Sequence, residues 1–289
     1  MLQFKSSVKK SVLSFALSQN PLAFRTAKKL AMRLMKLQYE PNDSEPKRAF
    51  CCISVDFDVT RPERARANER GTSSLIMLAE RYDLPVTWAV CGRTVEEYPD
   101  QFNKITSSTS KKEIAVHTYS HLDVSAATEY ELLEDFERFK KAVGDSKYST
   151  FIFPWNRVAH LDTLRNLGFI AYRGKERRIG NAATNEGLLN IAPVIYTGAE
   201  TYQQSFLPRT LLELCIKTGS IFHLWTHPWD VVFPSPQEYR DKVLDPIFSL
   251  MSDYQKSGLL KPMTMGELAT HISQNTEASK KSVQEFKAN

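Results

Sequence analysis

Long apolar runs are missing from this sequence of 289 residues. No window approaches the roughly 18 apolar residues that a membrane-spanning helix needs. The apolar stretch 12–17 follows lysines, as in a signal peptide, but it is short and no A-x-A cleavage site comes after it. These absences argue against a spanning helix and against export, and we expect a cytoplasmic protein.

Cysteine is scarce as well. The four cysteines form no C-x-x-C pair and no regular framework, and Cys51 and Cys52 lie in an apolar run typical of a buried strand. Disulfide scaffolds belong to oxidising compartments. We therefore expect free thiols in a reducing compartment, and a fold built on an apolar core, for which a hydrophobic content of 42% is sufficient.

Most of the chain also lacks an excess of positive charge. Of the net charge of +5, residues 1–48 contribute +7, with ten Lys or Arg against three acidic residues, and the remainder has 28 basic and 30 acidic residues. The near-neutral remainder argues against nucleic-acid binding. Residues 21–37 have the pattern of a basic amphipathic helix. We expect residues 1–37 either to contact the inner face of an anionic membrane peripherally or to pack their apolar stripe on the main domain.

Strands alternate with helical patterns from residue 49 onward. Apolar runs at 49–55, 86–90 and 113–116 are typical of buried strands, and helical patterns separate them, whereas 173–201 is interpreted as loop-rich. This alternation predicts an α/β fold with a parallel sheet or barrel. The predicted divisions are a basic extension with its linker (1–48), a catalytic domain (49–273) and a polar tail (274–289).

Polar side chains follow the ends of several predicted strands. Asp56 and Asp58 follow the first strand, His117 follows the third, Trp155 follows the fourth and His227 follows a late one. In α/β barrels and open α/β sheets, functional sites assemble where the carboxyl ends of the strands meet. We therefore expect these residues to lie together.

The residue types in these stretches point to a metal. His117 and His121, four positions apart, can both reach one divalent cation, and Asp58 completes a three-ligand face that leaves positions open for water and substrate. Asp56 is placed to take a proton from water. The H-x-x-x-H pattern alone is weak evidence, and it lacks the internal Glu of a zincin helix. Combined with the acidic stretch, it predicts a metal-dependent hydrolase.

Four motifs in this order resemble those of the polysaccharide deacetylase family, the NodB homology domain of carbohydrate esterase family 4. The resemblance covers roughly residues 49–270. The motifs are Ser54-Val55-Asp56-Phe57-Asp58, His117-Thr118-Tyr119-Ser120-His121, Phe153-Pro154-Trp155-Asn156, and His223-Leu224-Trp225-Thr226-His227-Pro228-Trp229.

The resemblance implies a distorted (β/α) barrel that removes an N-acetyl group from an amino sugar in a polysaccharide or a lipid-linked glycan. It implies Asp56 as the general base, the backbone N–H of Trp155 as an oxyanion stabiliser and a histidine as the proton donor to the leaving amine. The implied ligands of a divalent metal, most often zinc (Zn2+), are Asp58, His117 and His121.

The proton donor and the sugar contacts stay open at this level. His223 and His227 share one face of a strand at period two, and His227 is favoured because it lies at the strand end. Tryptophans near the site either stack on sugar rings or pack in the core. The predicted substrate-binding residues are Pro154, Trp155, Asn156 and Trp229.

One departure from the family pattern concerns an arginine that precedes the Pro-Trp motif and orients the base. Here Ile152 stands in its place, and Arg157 or Arg173 is expected to substitute. Without a substitute, a non-catalytic carbohydrate-binding relative becomes an alternative, although the intact Asp and His set argues against it. A second alternative is an amidohydrolase of the same fold that acts on a small amide or formamide. The missing export signal favours a biosynthetic, lipid-linked intermediate over mature peptidoglycan or chitin.

Overall fold

A computed structural model describes residues 48–59, 61–174 and 182–275. The predicted basic helix and its membrane contact at 1–37 lie outside the described residues, as does the tail beyond residue 275. Among the described residues, none of the helices combines the length and the apolar character that spanning a membrane requires. The predicted domain boundaries and the cytoplasmic location stay predictions.

The described part of the chain contains one ten-stranded sheet. The strands are β1 (Ala49–Phe57), β2 (Val86–Val90), β3 (Lys112–Val116), β4 (Thr150–Ile152), β5 (Ala171–Arg173), β6 (Ala183–Asn185), β7 (Leu188–Asn190), β8 (Ile195–Tyr196), β9 (Ile221–Thr226) and β10 (Leu260–Pro262). The order is β6-β7-β5-β4-β3-β2-β1-β9-β8, with β10 paired to β1. All pairings are parallel except the β6–β7 hairpin. The predicted α/β class with a parallel sheet is confirmed.

Helices connect the strands. They are α1 (Ala65–Tyr82), α2 (Gly92–Glu97), α3 (Pro99–Ser107), α4 (Glu129–Val143), α5 (Leu161–Asn166), α6 (Phe206–Thr218), α7 (Pro236–Tyr239), α8 (Asp245–Lys256) and α9 (265–275). Helix α4 shows why such a segment is helical: Thr128 and Glu131 form a reciprocal capping box. Its apolar residues recur at helical spacing, so that Leu132, Phe136 and Phe139 are buried on one side.

The outer face of β1 supplies the main core. Ile53, Val55 and Phe57 alternate along the strand and cluster with Leu75 and Leu78 of α1. Because side chains on a strand alternate between its two faces, the intervening residues point into the interior of the curved sheet.

The inner face is apolar at one end and polar at the other. Cys52, Ala89 and Ala115 cluster with Met265 and Leu268 of α9, so this helix closes the interior at that end. The same inner face becomes polar toward the carboxyl end of β1, where the candidate site begins.

The predicted loop at 173–201 is wrong in part. The end of β5, the hairpin β6–β7 and strand β8 all fall within it. These strands are two or three residues long, which is too short for a period of two to stand out from a loop pattern.

Candidate active site

The three predicted metal ligands meet at the carboxyl end of the sheet. Asp58 follows β1, and β3 leads directly into His117. One possible ligand atom from each of Asp58, His117 and His121 lies within 4.8 Å of the others, and all three residues are buried. The Asp58 Oδ2 atom is 2.9 Å from His121 Nε2 and 3.6 Å from His117 Nε2.

The loop that carries both histidines is held in an unusual backbone conformation. Thr118 and His121 have φ values of 61° and 59°, in the left-handed region that side chains normally avoid. Buried Asp135 of α4 secures the loop. Its carboxylate accepts hydrogen bonds from the backbone N–H groups of Tyr119 and Ser120 and from the Ser120 hydroxyl.

These residues fit a divalent cation. His117 Nδ1 is 2.7 Å from the Ile152 carbonyl oxygen; since a carbonyl only accepts, Nδ1 carries the hydrogen and Nε2 is left as a ligand. Asp58 Oδ1 is buried and has no hydrogen-bond partner. Burial raises the pKa of Asp58, but the nearby His227 and the contacts with His117 and His121 outweigh it and lower this pKa well below its ordinary range. A buried anion with a free oxygen beside two imidazole nitrogens is a donor set that suits zinc.

The predicted base, Asp56, is paired with Arg173 at the end of β5. The guanidinium donates two parallel hydrogen bonds, with Nη1 2.7 Å from Oδ1 and Nη2 2.5 Å from Oδ2, and Trp225 Nε1 donates a third over 2.9 Å. Burial raises the pKa of Asp56, but Arg173 and then His117 lower it below its ordinary value. Of the two arginines proposed as substitutes, Arg173 contacts Asp56, whereas Arg157 pairs with Asp123.

His223 lies on β9, further from the carboxyl end of the sheet than Trp225, and Ser54 links it to Arg173 by hydrogen bonds. Arg173 Nη1 donates to Ser54 Oγ over 3.0 Å, Ser54 Oγ donates to His223 Nε2 over 2.8 Å, and His223 Nδ1 donates to the Ile191 carbonyl over 2.9 Å. Burial and the Arg173 charge lower the pKa of His223 to about 3. His223 is therefore a neutral histidine with both ring nitrogens occupied, which suits a structural role.

His227 faces the two aspartates from the end of β9. Its Nε2 is 3.8 Å from Asp56 Oδ2 and 4.0 Å from Asp58 Oδ1. On the other side of the ring, Nδ1 is 3.2 Å from Asp230 Oδ2 and 3.2 Å from the Tyr196 hydroxyl, which itself donates to Asp230. Burial lowers the pKa of His227, but Asp58, the hydrogen bond to Asp230 and Asp56 raise it above its ordinary value.

The Pro-Trp motif forms part of the rim. Pro154, Trp155 and Asn156 make a turn after β4 in which Trp155 has a φ of 51°. The Trp155 side chain is 55% exposed and meets the His121 ring edge-on, with centroids 4.4 Å apart. Asn156 Oδ1 is buried without a hydrogen-bond partner. An exposed aromatic ring beside an unpaired acceptor is suited to a sugar, since one packs on the ring and the other accepts a hydroxyl.

A cavity of about 340 Å³ unites these groups. It is lined by all the predicted catalytic, metal and substrate-binding residues except Pro154. Its walls also include Arg64, Tyr196 and Asp230, which were missed from the sequence. Asp230 follows His227 at a spacing of three, a signal that was available, whereas Tyr196 lies in the stretch interpreted as loop. The individual roles of the predicted residues stay predictions.

Part of this chain is similar in sequence to known proteins. Residues 51–166 match the family model for polysaccharide deacetylase. A peptidoglycan deacetylase of Helicobacter pylori is 31% identical over 93 residues, which are 31% of this chain and 31% of that protein. The match thus spans about a third of the length of this relative. The resemblance to the polysaccharide deacetylase family that the motifs predict is confirmed.

Solved structures extend the likeness to most of the chain. A candidate polysaccharide deacetylase from Mycobacterium smegmatis has a TM-score of 0.65 and 16% identity, covering 82% of this chain and 95% of its own. The Puue allantoinase has a TM-score of 0.59 and 13% identity, covering 81% and 93%. At these identities the likeness concerns the fold, and it confirms the predicted distorted barrel of the NodB type.

Proposed function

We propose that this protein is a metal-dependent hydrolase that removes an N-acetyl group from an amino sugar in a polysaccharide or a lipid-linked glycan. The family resemblance supports the reaction class. The observation that carries the proposal is the position of Asp56. Arg173 holds this carboxylate beside the three proposed metal ligands, Asp58, His117 and His121. His227 faces Asp56 from the end of β9.

Asp58, His117 and His121 would hold the cation. A bound zinc ion would supply Lewis-acid polarisation of the acyl carbonyl and acidification of water. The protein's own side chains would carry out the two proton transfers.

Asp56 is the proton acceptor in this proposal. An ionised carboxylate has about four lone-pair sites, of which Arg173 uses two and Trp225 uses one. The site left on Oδ1 would accept a proton from the water molecule that attacks the acyl carbon. Because Arg173 keeps the pKa of Asp56 low, the carboxylate is ionised and ready to act as a base at neutral pH.

His227 is the proton donor in this proposal. When the C–N bond breaks, the leaving nitrogen needs a proton, which His227 Nε2 would give to it. Asp230 and Tyr196 hold the opposite nitrogen and so fix the direction of Nε2. The products are a free amine and acetate. From the family resemblance, the backbone N–H of Trp155 would stabilise the oxyanion that precedes bond cleavage.

The same site chemistry would also hydrolyse a small amide or a formamide, and this is the second candidate. The half-exposed Trp155 at the rim favours a glycan, because an exposed ring next to the site gives a sugar residue a surface to pack on.

A substrate panel with the zinc-loaded protein separates the two candidates. We expect acetate release from N-acetylglucosamine oligomers to exceed hydrolysis of allantoin and simple formamides. Turnover of the small amides alone would instead establish the second candidate. Glycan binding without turnover of any substrate, at full metal loading, would replace both with a non-catalytic carbohydrate-binding protein.

A further inference from the structure

One cationic side chain in the cavity wall has no part in the chemistry above. Arg64 lies immediately before α1 and lines the cavity, with its guanidinium carbon 4.9 Å from the centroid of the Trp229 ring. Within the described ranges, no carboxylate forms an ion pair with Arg64. The other arginine of this cavity, Arg173, is already paired with Asp56.

Backbone packing holds the helix that begins after Arg64 against the turn that carries Trp229. Helix α1 lies against the turn Pro228–Asp230 so closely that a Cβ atom on Gly71 would come 1.8 Å from the Pro228 carbonyl oxygen. Only glycine allows this approach. Arg64 at one end of the helix and Trp229 in the turn are therefore held in register with each other.

Trp229 connects Arg64 to the proposed proton donor. The Trp229 and His227 rings stack with centroids 4.3 Å apart and an interplanar angle of 21°. Arg64 and His227 thus both pack on the Trp229 ring. A guanidinium over an aromatic face is held by cation–π attraction, and its N–H donors at the edge remain available for a planar, bidentate acceptor.

The surroundings of Arg64 are positive, in contrast to the acidic floor of the cavity. Arg61, Arg66 and Arg70 are exposed on the same segment. The acidic residues there are Glu63 and Glu69, and Glu69 is engaged by Lys104. Among the described residues this guanidinium has no ion-pair partner, and beside this excess of positive charge it suits a carboxylate or a phosphate better than a neutral hydroxyl.

We propose that Arg64 binds an anionic group of the substrate, a carboxylate or a phosphate carried on the N-acetylated sugar or on its neighbour. This inference rests on the proposed function, because it places the anion beside Trp229, the ring that stacks on the histidine proposed to protonate the leaving amine. It narrows the substrate from N-acetylated glycans in general to acidic ones.

Calorimetric binding to the zinc-loaded full chain tests the proposal without requiring turnover. The probes are a neutral N-acetylglucosamine tetramer, N-acetylglucosamine 1-phosphate, and a disaccharide that carries the carboxylate of N-acetylmuramic acid. The variants are Arg64→Gln, which removes the charge, and Arg66→Gln, which removes an exposed arginine that does not line the cavity.

We expect Arg64→Gln to weaken binding of at least one anionic probe by about tenfold or more, because the variant loses a charge-assisted hydrogen bond to the anion. Its effect on the neutral tetramer, and that of Arg66→Gln on every probe, should stay below about twofold. The probe that loses affinity identifies the anion as phosphate or carboxylate. Equal losses for neutral and anionic probes, or equal effects of the two variants, would overturn the proposal. Selective loss of anion binding with no acetate release from any probe would leave it standing and defeat the proposed function.

Discussion

Arg173 and Asp56 are 117 residues apart in the chain and form a buried ion pair with two parallel hydrogen bonds. Arg173 is 0% exposed and Asp56 is 2% exposed. Such a pair contributes less net stability than its geometry suggests, but removal of one partner leaves an uncompensated buried charge. Arg173 is therefore a positioning residue for the proposed base. Its loss should lower both the rate of hydrolysis and the free energy of unfolding.

The first prediction concerns this pair. Arg173→Met should lower the free energy of unfolding by about 3–5 kcal/mol, because Asp56 is left buried and unpaired. Arg157→Met removes the solvent-exposed pair with Asp123 and should leave the free energy of unfolding nearly unchanged, because water screens such a pair. Denaturant unfolding of both variants measures the difference. Similar losses in the two variants would contradict the assignment of Arg173 as the partner of Asp56.

The second prediction concerns the loop between His117 and His121, the two histidines proposed as metal ligands. Asp135→Asn weakens the acceptor that secures the backbone of Tyr119 and Ser120. Loss of such an outer contact should reduce zinc affinity by about 10- to 100-fold, measured by competition with a chelating dye. Glu134→Gln, an exposed neighbour on the same helix, serves as the control. Unchanged affinity in Asp135→Asn would show that the loop conformation does not depend on this carboxylate.

The third prediction separates the two candidate proton donors. If His227 protonates the leaving nitrogen, His227→Ala should slow hydrolysis of an N-acetyl sugar far more than hydrolysis of an acetanilide. The amine released from an acetanilide is weakly basic, so its departure depends less on a proton donor. His223→Gln should slow both substrates to a similar degree, because His223 is a buried structural residue. A strong dependence on the leaving group in the His223 variant would reverse the two roles.

The fourth prediction concerns the contact between α1 and the turn after His227. Gly71→Ala forces a methyl group toward the Pro228 carbonyl and should destabilise the fold by about 1–3 kcal/mol through overpacking. At the exposed position Ser73 of the same helix, Ser73→Ala should be neutral or slightly stabilising, because alanine is the better helix former. A thermal unfolding midpoint unchanged by Gly71→Ala would mean that α1 can move away from the turn.

The sequence predicts the location of the site better than its internal connections. Asp58, His117 and His227 were expected to meet because the carboxyl ends of parallel strands share one edge, and the register of β1 with its neighbours brings them there. This inference needs only the strand ends, which the short apolar runs at 49–55, 86–90 and 113–116 mark.

From the sequence, the partner of Asp56 stays open between Arg157 and Arg173, and the partners of the other site residues could not be assigned. Arg173 reaches Asp56 across the interior of the sheet, a contact that depends on its curvature. Asp135 approaches the histidine loop from a helix, where an acidic residue normally implies a solvated face. Tyr196 lies on a two-residue strand. Local pattern does not choose between the two arginines, and it does not mark Asp135 or Tyr196 as part of the site.

The most direct test of the account combines metal content with acetate release in wild type and Asp56→Asn. The account predicts about one zinc per chain in both proteins, because Asp56 is not a ligand, and a loss of acetate release of about 100-fold or more in the variant, the contribution typical of a general base. Wild-type protein that takes up no divalent metal after reconstitution, or an Asp56→Asn variant that keeps full activity, would contradict it.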